Sequence, residues 1–463
     1  MSTINRRTFL DQSKNSAMGL AAGFTILQNA GSARAAPAAD KIVLAAVGAG
    51  GRGMHLATDT TNGFLIRGDC EYAYICDPDI NRGGARVKPI ADMQGGRQPK
   101  VVQDMREILD DKSVDAIISA TPDHWHALST VWACQAGKDV YVEKPAHQSC
   151  WEGQQMVAAE QKYDRVVQVG FQNRSAPYNM AARQYLQEGR LGGIHLCRIY
   201  NQKPPWGMTK VQPDSDPPSG FNWDIWNGPA PEHPFNLGLL RTWHHLWRYS
   251  GGDIANDASH QIDLARWLLG LDYPKTVYST GGRYAVDPEE LVAETPDTQF
   301  ALYDFDRLLV SFELTLFGNY MLKTDSVVRD TDMFPLWMQN STRIEIFGTE
   351  GLMVVGRHGG GWQVFVRPHS RQPVVRDQMY GRFPDPEHKE DFIQCIRTRN
   401  KPSCCALEGH LSTLMIHYAN MSYRLGGQKL AIDPQTEHVI DNPAAMEMFQ
   451  RTYRAPWVVP EIT

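Results

Sequence analysis

Lys41-Ile42-Val43-Leu44-Ala45-Ala46-Val47-Gly48-Ala49-Gly50-Gly51-Arg52-Gly53 is the stretch on which the reading of the chain turns. The apolar run Ile42 to Val47 has the length and composition of a strand, and a glycine turn of the form G-x-G-x-x-G follows it at once. A helix-like segment, Met54 to Asn62, comes next. Strand, glycine turn and helix in that order are the setting in which such glycines hold a dinucleotide. Gly48 permits the tight turn, Gly50 lets backbone approach a pyrophosphate, and Gly53 lets helix and strand pack closely. The helix N-terminus, with its free N–H groups and positive dipole end, then favours the anion. A glycine turn alone also occurs without a ligand, so the assignment rests on what surrounds it.

Downstream, Tyr72 to Asp77 reads as a second parallel strand ending in an acid. Asp77 stands near the place of the carboxylate that takes the ribose hydroxyls and repels a 2′-phosphate. That favours NAD over NADP; Arg82 argues the reverse, and Asp77 also reads as a cap before Pro78. A short strand near Val101-Val102 follows, then a buried strand from Val114 to Pro122, a helix opening at Asp123-His124-Trp125-His126, and a strand Asp139 to Val142 that ends in Glu143-Lys144-Pro145. Alternating strands and helices predict a doubly wound parallel sheet, whose ligands bind at the carboxyl ends of the strands. Thr121, His124 and Lys144 all fall at such ends.

On these motifs the chain resembles the glucose–fructose oxidoreductase/inositol dehydrogenase/MocA (Gfo/Idh/MocA) family. The matching residues are G-A-G-G-R-G at 48–53, A-T-P-D-H-W-H at 120–126, E-K-P at 143–145, Q-V-G-F-Q-N-R at 168–174 and G-G-D-I-A-N-D-A-S-H-Q-I-D at 251–263. The resemblance runs from about residue 40 to Tyr453-Arg454-Ala455-Pro456-Trp457. It implies a Rossmann domain at 40–171 and a substrate and oligomerisation domain at 172–425, built on a large, mostly antiparallel open sheet whose last helix packs back on the first domain. A tail at 426–463 follows. It implies cofactor contacts from Gly48, Gly50, Gly51, Arg52, Gly53, Asp77, Thr121, Pro122, His124, His126, Glu143, Lys144 and Gln172. It also implies that Lys144 lies beside the nicotinamide and the substrate hydroxyl, and that the protein is a homodimer or homotetramer. Family members mostly oxidise or reduce a carbohydrate carbon, and some are NAD-dependent glycoside hydrolases.

In this family an aspartate commonly stands four residues before the motif histidine, here His260. This chain has Asn256 there and places the acid at Asp257. His260 is therefore the better-supported partner of Lys144, with Asp257, Asn256, Arg174 and Tyr178 as further candidates for catalysis or substrate contact. The lysine would hydrogen-bond the alcohol oxygen, and the imidazole is suited to take its proton near neutral pH. The stretch Pro204 to Trp247 is long, irregular and rich in aromatics, among them Trp206, Trp223, Trp226, Trp243 and Trp247. Such rings would form a saccharide-binding rim or pin the loop to its own domain or a neighbouring subunit.

The 463 residues suffice for two domains, and a net charge of -6 gives no reason to expect nucleic acid or an anionic membrane as partner. Away from the N-terminus no run approaches the length of a membrane span. The eight cysteines contain no C-x-x-C pair, which speaks against a zinc site and for buried free thiols. Asn5-Arg6-Arg7-Thr8-Phe9-Leu10, a modestly apolar segment and Ala33-Arg34-Ala35-Ala36 resemble a twin-arginine export signal over residues 1–39, which places the mature protein in the periplasm or outside the cell. Free NAD is scarce there, so a tightly held cofactor restored within each cycle is expected. Two reactions meet that condition: a coupled oxidation and reduction of carbohydrate, and a glycoside hydrolysis by transient oxidation, elimination, water addition and re-reduction. The hydrolysis needs an additional carbon-acid base, for which Tyr178 is the candidate.

Overall fold

The computed structural model describes residues 41–463 apart from 205–206, 286, 288–290, 319, 325, 330, 332 and 369–371. The export-like segment and Trp206 lie outside the described residues.

The apolar runs of the first half form six strands: β1 (Ile42–Val47), β2 (Cys70–Cys76), β3 (Lys100–Val102), β4 (Ala116–Ser119), β5 (Asp139–Val142) and β6 (Val167–Val169). They pair in parallel in the order β3-β2-β1-β4-β5-β6. The runs are continuous rather than alternating because both faces of the sheet are covered. Along β1, Ala45 and Val47 join one core with Trp125 and Val131, while Leu44 and Ala46 join another with Phe64 and Phe392. The helices of two turns or more within this unit are α1 (Gly51–Thr58), α2 (Ile80–Met93), α3 (His126–Gln135) and α4 (Cys150–Tyr163). The cap of α2 is Asp79, which accepts from the amides of Asn81 and Arg82, so Asp77 is left free of that duty. Strand order reverses between β1 and β4, and a crevice opens there at the carboxyl ends.

In the second unit a nine-stranded sheet runs in the order β16-β15-β14-β13-β7-β12-β11-β9-β17. Its members are β7 (Ile194–Gln202), β9 (Thr276–Gly282), β11 (Thr298–Asp304), β12 (Leu309–Thr315), β13 (Arg343–Gly348), β14 (Gly351–Gly356), β15 (Trp362–Val366), β16 (Val374–Met379) and β17 (Leu430–Ala431); β8 (Thr209–Lys210) and β10 (Leu291–Val292) form a separate small pair. Pairing is antiparallel except between β7 and β12. Helices α5 (Pro177–Gln187), α6 (Ser259–Leu269) and α8 (Ala406–Arg424) share a core with one face. Tyr278, Phe300 and Leu309 remain exposed on the sheet.

The chain returns to the first unit more than once. Phe392 of α7 (Asp385–Thr398) packs edge-on against Phe64 and Tyr141, with ring centroids 6.3 and 5.7 Å apart. The segment after 425 is no loose tail: β17 edges the large sheet, and Trp457 packs against Trp125 at 5.3 Å. All eight cysteines are buried free thiols.

Candidate active site

A cavity of about 820 Å³ opens at the crevice and is walled on its far side by the second unit. Its floor is the glycine turn. Gly48 has φ +94°, and a Cβ there would meet the Ala120 carbonyl oxygen at 2.6 Å. A Cβ on Gly53 would come within 2.0 Å of the Gly48 carbonyl oxygen, so the third glycine is required by packing of helix on turn. Gly50 and Gly51 differ: a Cβ on either has no protein atom within 4 Å, and both line the cavity. The backbone there is bare toward the space a pyrophosphate would fill, at the N-terminus of α1. These residues therefore fit a dinucleotide.

Asp77 lines the same cavity from the end of β2. Its Oδ2 accepts from the Ala49 amide at 2.9 Å and its Oδ1 from the Asp79 amide at 2.9 Å. Burial raises its pKa, opposed by Arg82 and those amides. The Arg82 guanidinium also lines the cavity, 3.6 Å from Asp77 and 4.0 Å from Asp79.

At the end of β5, Lys144 reaches across to the second unit. Its Nζ donates to the Asn256 carbonyl oxygen at 2.9 Å and to Asn256 Oδ1 at 3.1 Å. Burial lowers the lysine pKa, with Glu143, Asp123 and Asp257 opposing. Asn256 in turn donates through Nδ2 to Asp253 Oδ1 at 3.3 Å. A carboxylate at 256 would face Asp253 at that distance, which gives a physical reason for the amide where family members carry an acid. Glu143 does not touch Lys144; it accepts from Arg52 Nε at 2.6 Å, and Arg52 also reaches Asp385 at 3.3 Å. Those bonds clamp the strand end that carries the lysine. Thr121, Pro122 and Gln172 line the cavity as well.

His260 lies at the start of α6, buried and lining the cavity, with the Phe171 ring edge-on at 5.9 Å. Neither of its ring nitrogens has a protein hydrogen bond among the described residues, and its Nδ1 is buried. Burial, Arg357 and Lys144 push its pKa well below the ordinary value, so the imidazole is neutral at pH 7 and able to accept a proton.

Several expected residues stand elsewhere. His124 is packed on Trp226 and Tyr249, with Nε2 on the Trp226 carbonyl oxygen at 3.0 Å, and lies off the cavity. His126 also lies off it: its ring nitrogens face the Pro145 and Thr121 carbonyl oxygens at 2.6 and 3.0 Å, between the lysine loop and the threonine turn, and the neutral ring donates to one of the two. Arg174 is no substrate contact, because its guanidinium is wholly buried against Asp263 at 2.7 Å and Glu408 at 2.6 Å. Tyr178 is buried under Gly381 and beside Trp362, away from the cavity, so it is displaced from the role of carbon-acid base. Asp257 does line the cavity but is held by Lys203 at 3.4 Å, Lys323 at 2.7 Å and Arg357 at 3.5 Å. Burial opposes its ionisation, yet those cations keep its pKa well below the usual carboxylate range.

The structure also brings in Asp123, which stands inside the 120–126 motif but is not among the expected site residues. Asp123 lines the cavity and accepts from Ser250 Oγ at 2.5 Å; burial raises its pKa to about 7, against that bond and Lys144. Among the described residues, Trp226 and Trp243 are the loop tryptophans that reach the cavity, Trp243 stacked on His244 at 3.5 Å. Trp223 stacks on Trp226 at 4.8 Å within a small core, and Trp247 packs on Tyr423. The aromatic stretch thus serves both a cavity wall and its own anchoring. Arg357 and His358 follow β14 with no local signature, and only the fold carries them to the site.

Three family models match this chain. Residues 43–171 match one described as "Oxidoreductase family, NAD-binding Rossmann fold", residues 222–354 the "GFO/IDH/MocA C-terminal domain", and residues 352–459 "Oxidoreductase family, C-terminal alpha/beta domain". The scyllo-inositol 2-dehydrogenase (NAD(+)) of Bacillus subtilis is 24% identical over 363 residues, 74% of this chain and 88% of the relative. Levoglucosan dehydrogenase of Pseudarthrobacter phenanthrenivorans is 31% identical over 167 residues, 36% of each chain. Among solved structures, the WlbA dehydrogenase from Bordetella pertussis, in complex with NADH and UDP-GlcNAcA, aligns with a TM-score of 0.58 at 20% identity, covering 85% of this chain and 99% of that one. That likeness shows a shared fold.

Proposed function

The chain belongs to the Gfo/Idh/MocA family of NAD-binding oxidoreductases, and from that membership we propose that it oxidises or reduces a hydroxyl-bearing carbon of a small carbohydrate, with NAD held tightly and restored within each cycle. The observation that carries the reading is the convergence of Lys144 Nζ, fixed by Asn256, and an unengaged neutral His260 on the cavity floored by the glycine turn. Bound NAD supplies the two-electron acceptor. An ammonium has three donors. Lys144 spends two on Asn256, which leaves one N–H for the substrate oxygen and for charge that develops on it. His260, kept neutral by burial and neighbouring cations, takes the hydroxyl proton in oxidation and returns it in reduction. The Arg52–Glu143–Asp385 clamp keeps the strand end in register. Asp77, lining the cavity at the end of β2, supports NAD over NADP.

Asp257 is tied to three cations and Tyr178 lies off the cavity, so neither supplies the second base that transient-oxidation hydrolysis requires. We therefore favour net carbohydrate oxidoreduction. Export rests on the Arg6-Arg7 motif, and a homodimer or homotetramer on family membership together with the exposed sheet residues.

The test begins with protein purified without added nucleotide. Bound cofactor is released and identified, and the protein is then given sugars and, separately, aryl glycosides in deuterated water. Nucleotide release together with sugar–ketose interconversion supports the proposal. Aglycone release with deuterium beside the oxidised carbon replaces it with the hydrolase. Absence of both nucleotide and activity after NAD is supplied sinks it.

A further inference from the structure

Among the described residues, the second-unit wall of the cavity and the cations just behind it carry more positive charge than the carboxylates paired with them balance. Lys203 Nζ is paired with Asp253 Oδ1 at 2.8 Å. Asp257 is then left to face both Lys323, at 2.7 Å, and Arg357, at 3.5 Å. Arg357 is buried, and its Nε has no hydrogen-bond partner among the described residues, while its NH1 lies on His358 Nδ1 at 2.7 Å. Arg329 lines the same wall. It lies over the Phe383 ring at 4.5 Å, and no carboxylate pairs with it among the described residues. Its carbonyl oxygen would lie 2.9 Å from a Cβ on Gly359, which places the Arg329 segment against the turn that carries Arg357 and His358.

The cluster adjoins the reacting position. Asp257 directly follows the residue that holds Lys144, and Arg357 is among the charges that suppress protonation of His260. Burial and the nearby Arg329 and Arg52 lower the pKa of Arg357 itself to about 10, against the pull of Asp257, as expected of a guanidinium short of counter-charge. A buried cation without its full complement of anions is costly unless a ligand completes it.

We propose that Arg357 and Arg329 receive a carboxylate borne by the carbohydrate, so that the substrate is a sugar acid such as a uronate rather than a neutral sugar. Arg357 would donate from its guanidinium and Arg329, on the same wall, would meet the second oxygen, while Lys323 stays on Asp257. This inference rests on the oxidoreductase reading. The same chemistry could be met by the cofactor's pyrophosphate, but the bare backbone of Gly50 and Gly51 at the α1 N-terminus already offers that group a cradle, whereas Arg357 acts on His260 and Asp257 directly follows the residue that holds Lys144.

The experiment pairs D-glucuronate with D-glucuronamide and D-galacturonate with D-galactose on the full-length NAD-loaded protein. Two readouts are taken: nicotinamide reduction, and thermal stabilisation by each sugar with and without NAD. The acid of at least one pair is expected to be preferred by about tenfold or more in kcat/KM and to stabilise the protein where its neutral partner does not. That ratio should fall by about tenfold in Arg357→Gln and, where that variant fails to fold, in the less buried Arg329→Gln. Equal use and equal stabilisation by acids and neutral sugars would overturn the carboxylate site while leaving oxidoreduction standing. A preference that survives both substitutions would overturn these residues as its cause. Weakened NAD affinity with an unchanged acid-to-neutral ratio would assign the cations to the cofactor and defeat the proposal. Turnover of no sugar at all, with nucleotide bound, would defeat the oxidoreductase reading and this inference with it.

Discussion

Two alanine substitutions three residues apart, Gly53→Ala and Gly50→Ala, should fail in opposite ways. At Gly53 the new Cβ would sit 2.0 Å from the Gly48 carbonyl oxygen, where real contacts stay above 3.0 Å. Relief requires the turn to open by about 1 Å, the difference between a normal contact and this one. The turn cannot yield freely, because Gly48 N donates to the Cys76 carbonyl oxygen at 2.8 Å and a shift toward β4 meets the Ala120 backbone. Overpacking of this kind costs about 1–3 kcal/mol. The helix gain of alanine over glycine returns at most about 1 kcal/mol. Gly50 has φ −70° and ψ −172°, an extended backbone open to any residue, and its Cβ meets no protein atom within 4 Å. Its substitution should leave folding within about 0.5 kcal/mol of wild type while placing a methyl in the pyrophosphate's path. The assay is thermal unfolding of nucleotide-stripped protein alongside fluorescence titration with NADH. Gly53→Ala should lower the midpoint by several degrees, at roughly 2–4 °C per kcal/mol. Gly50→Ala should keep the midpoint and lose about tenfold or more in NADH affinity. Wild-type NADH binding by Gly50→Ala would refute the assignment of this turn as the cofactor cradle.

Further expectations concern the residues around it. Lys144→Ala should lower kcat by about 10²–10⁴-fold with cofactor retention and unfolding midpoint nearly unchanged, and His260→Gln should do likewise; wild-type turnover in either would remove that residue from the chemistry. Arg174→Met leaves Asp263 buried without its guanidinium partner, so it should cost about 3–5 kcal/mol in urea unfolding, while KM for sugar stays put in protein that folds; raised KM with full stability would return Arg174 to the site. Asp385 is buried, which alone would raise its pKa, but Arg52, His55 and Lys389 hold it well below the carboxylate range. Its stabilising contribution is therefore complete above the unfolded carboxyl value of about 4 and is lost as pH falls below that toward the folded value. The stability gap between wild type and Asp385→Asn should accordingly narrow from about pH 7 to about pH 3, and a gap that widened on acidification would contradict the pairing.

The local signals in the chain decided a great deal. A continuous apolar run before G-A-G-G-R-G reads as a strand buried on both faces and followed by a glycine turn, so the parallel sheet and the strand-end places of Gly48, Asp77 and Lys144 were legible without coordinates, whereas the reversal of strand order between β1 and β4 was not. Strand-end positions are local facts, and local facts survive folding. The partners of a side chain are not local. His124 and His126 share a motif and a helix start with Thr121, yet tertiary packing turned one ring to Trp226 and the other to Pro145. Arg174 looked available for a ligand until Asp263 and Glu408, from two distant helices, closed on it. Arg357, Lys323 and Lys203 stand far apart in sequence with no shared spacing, and only the closing of the nine-stranded sheet against α6 gathers them on Asp257. The sequence by itself thus determined where backbone would meet a dinucleotide, because turn and strand geometry follow from nearest neighbours. Which charged groups were spent on one another, and which were left facing the substrate, was decided only by the tertiary structure, because electrostatic pairing depends on distances that no stretch of sequence contains.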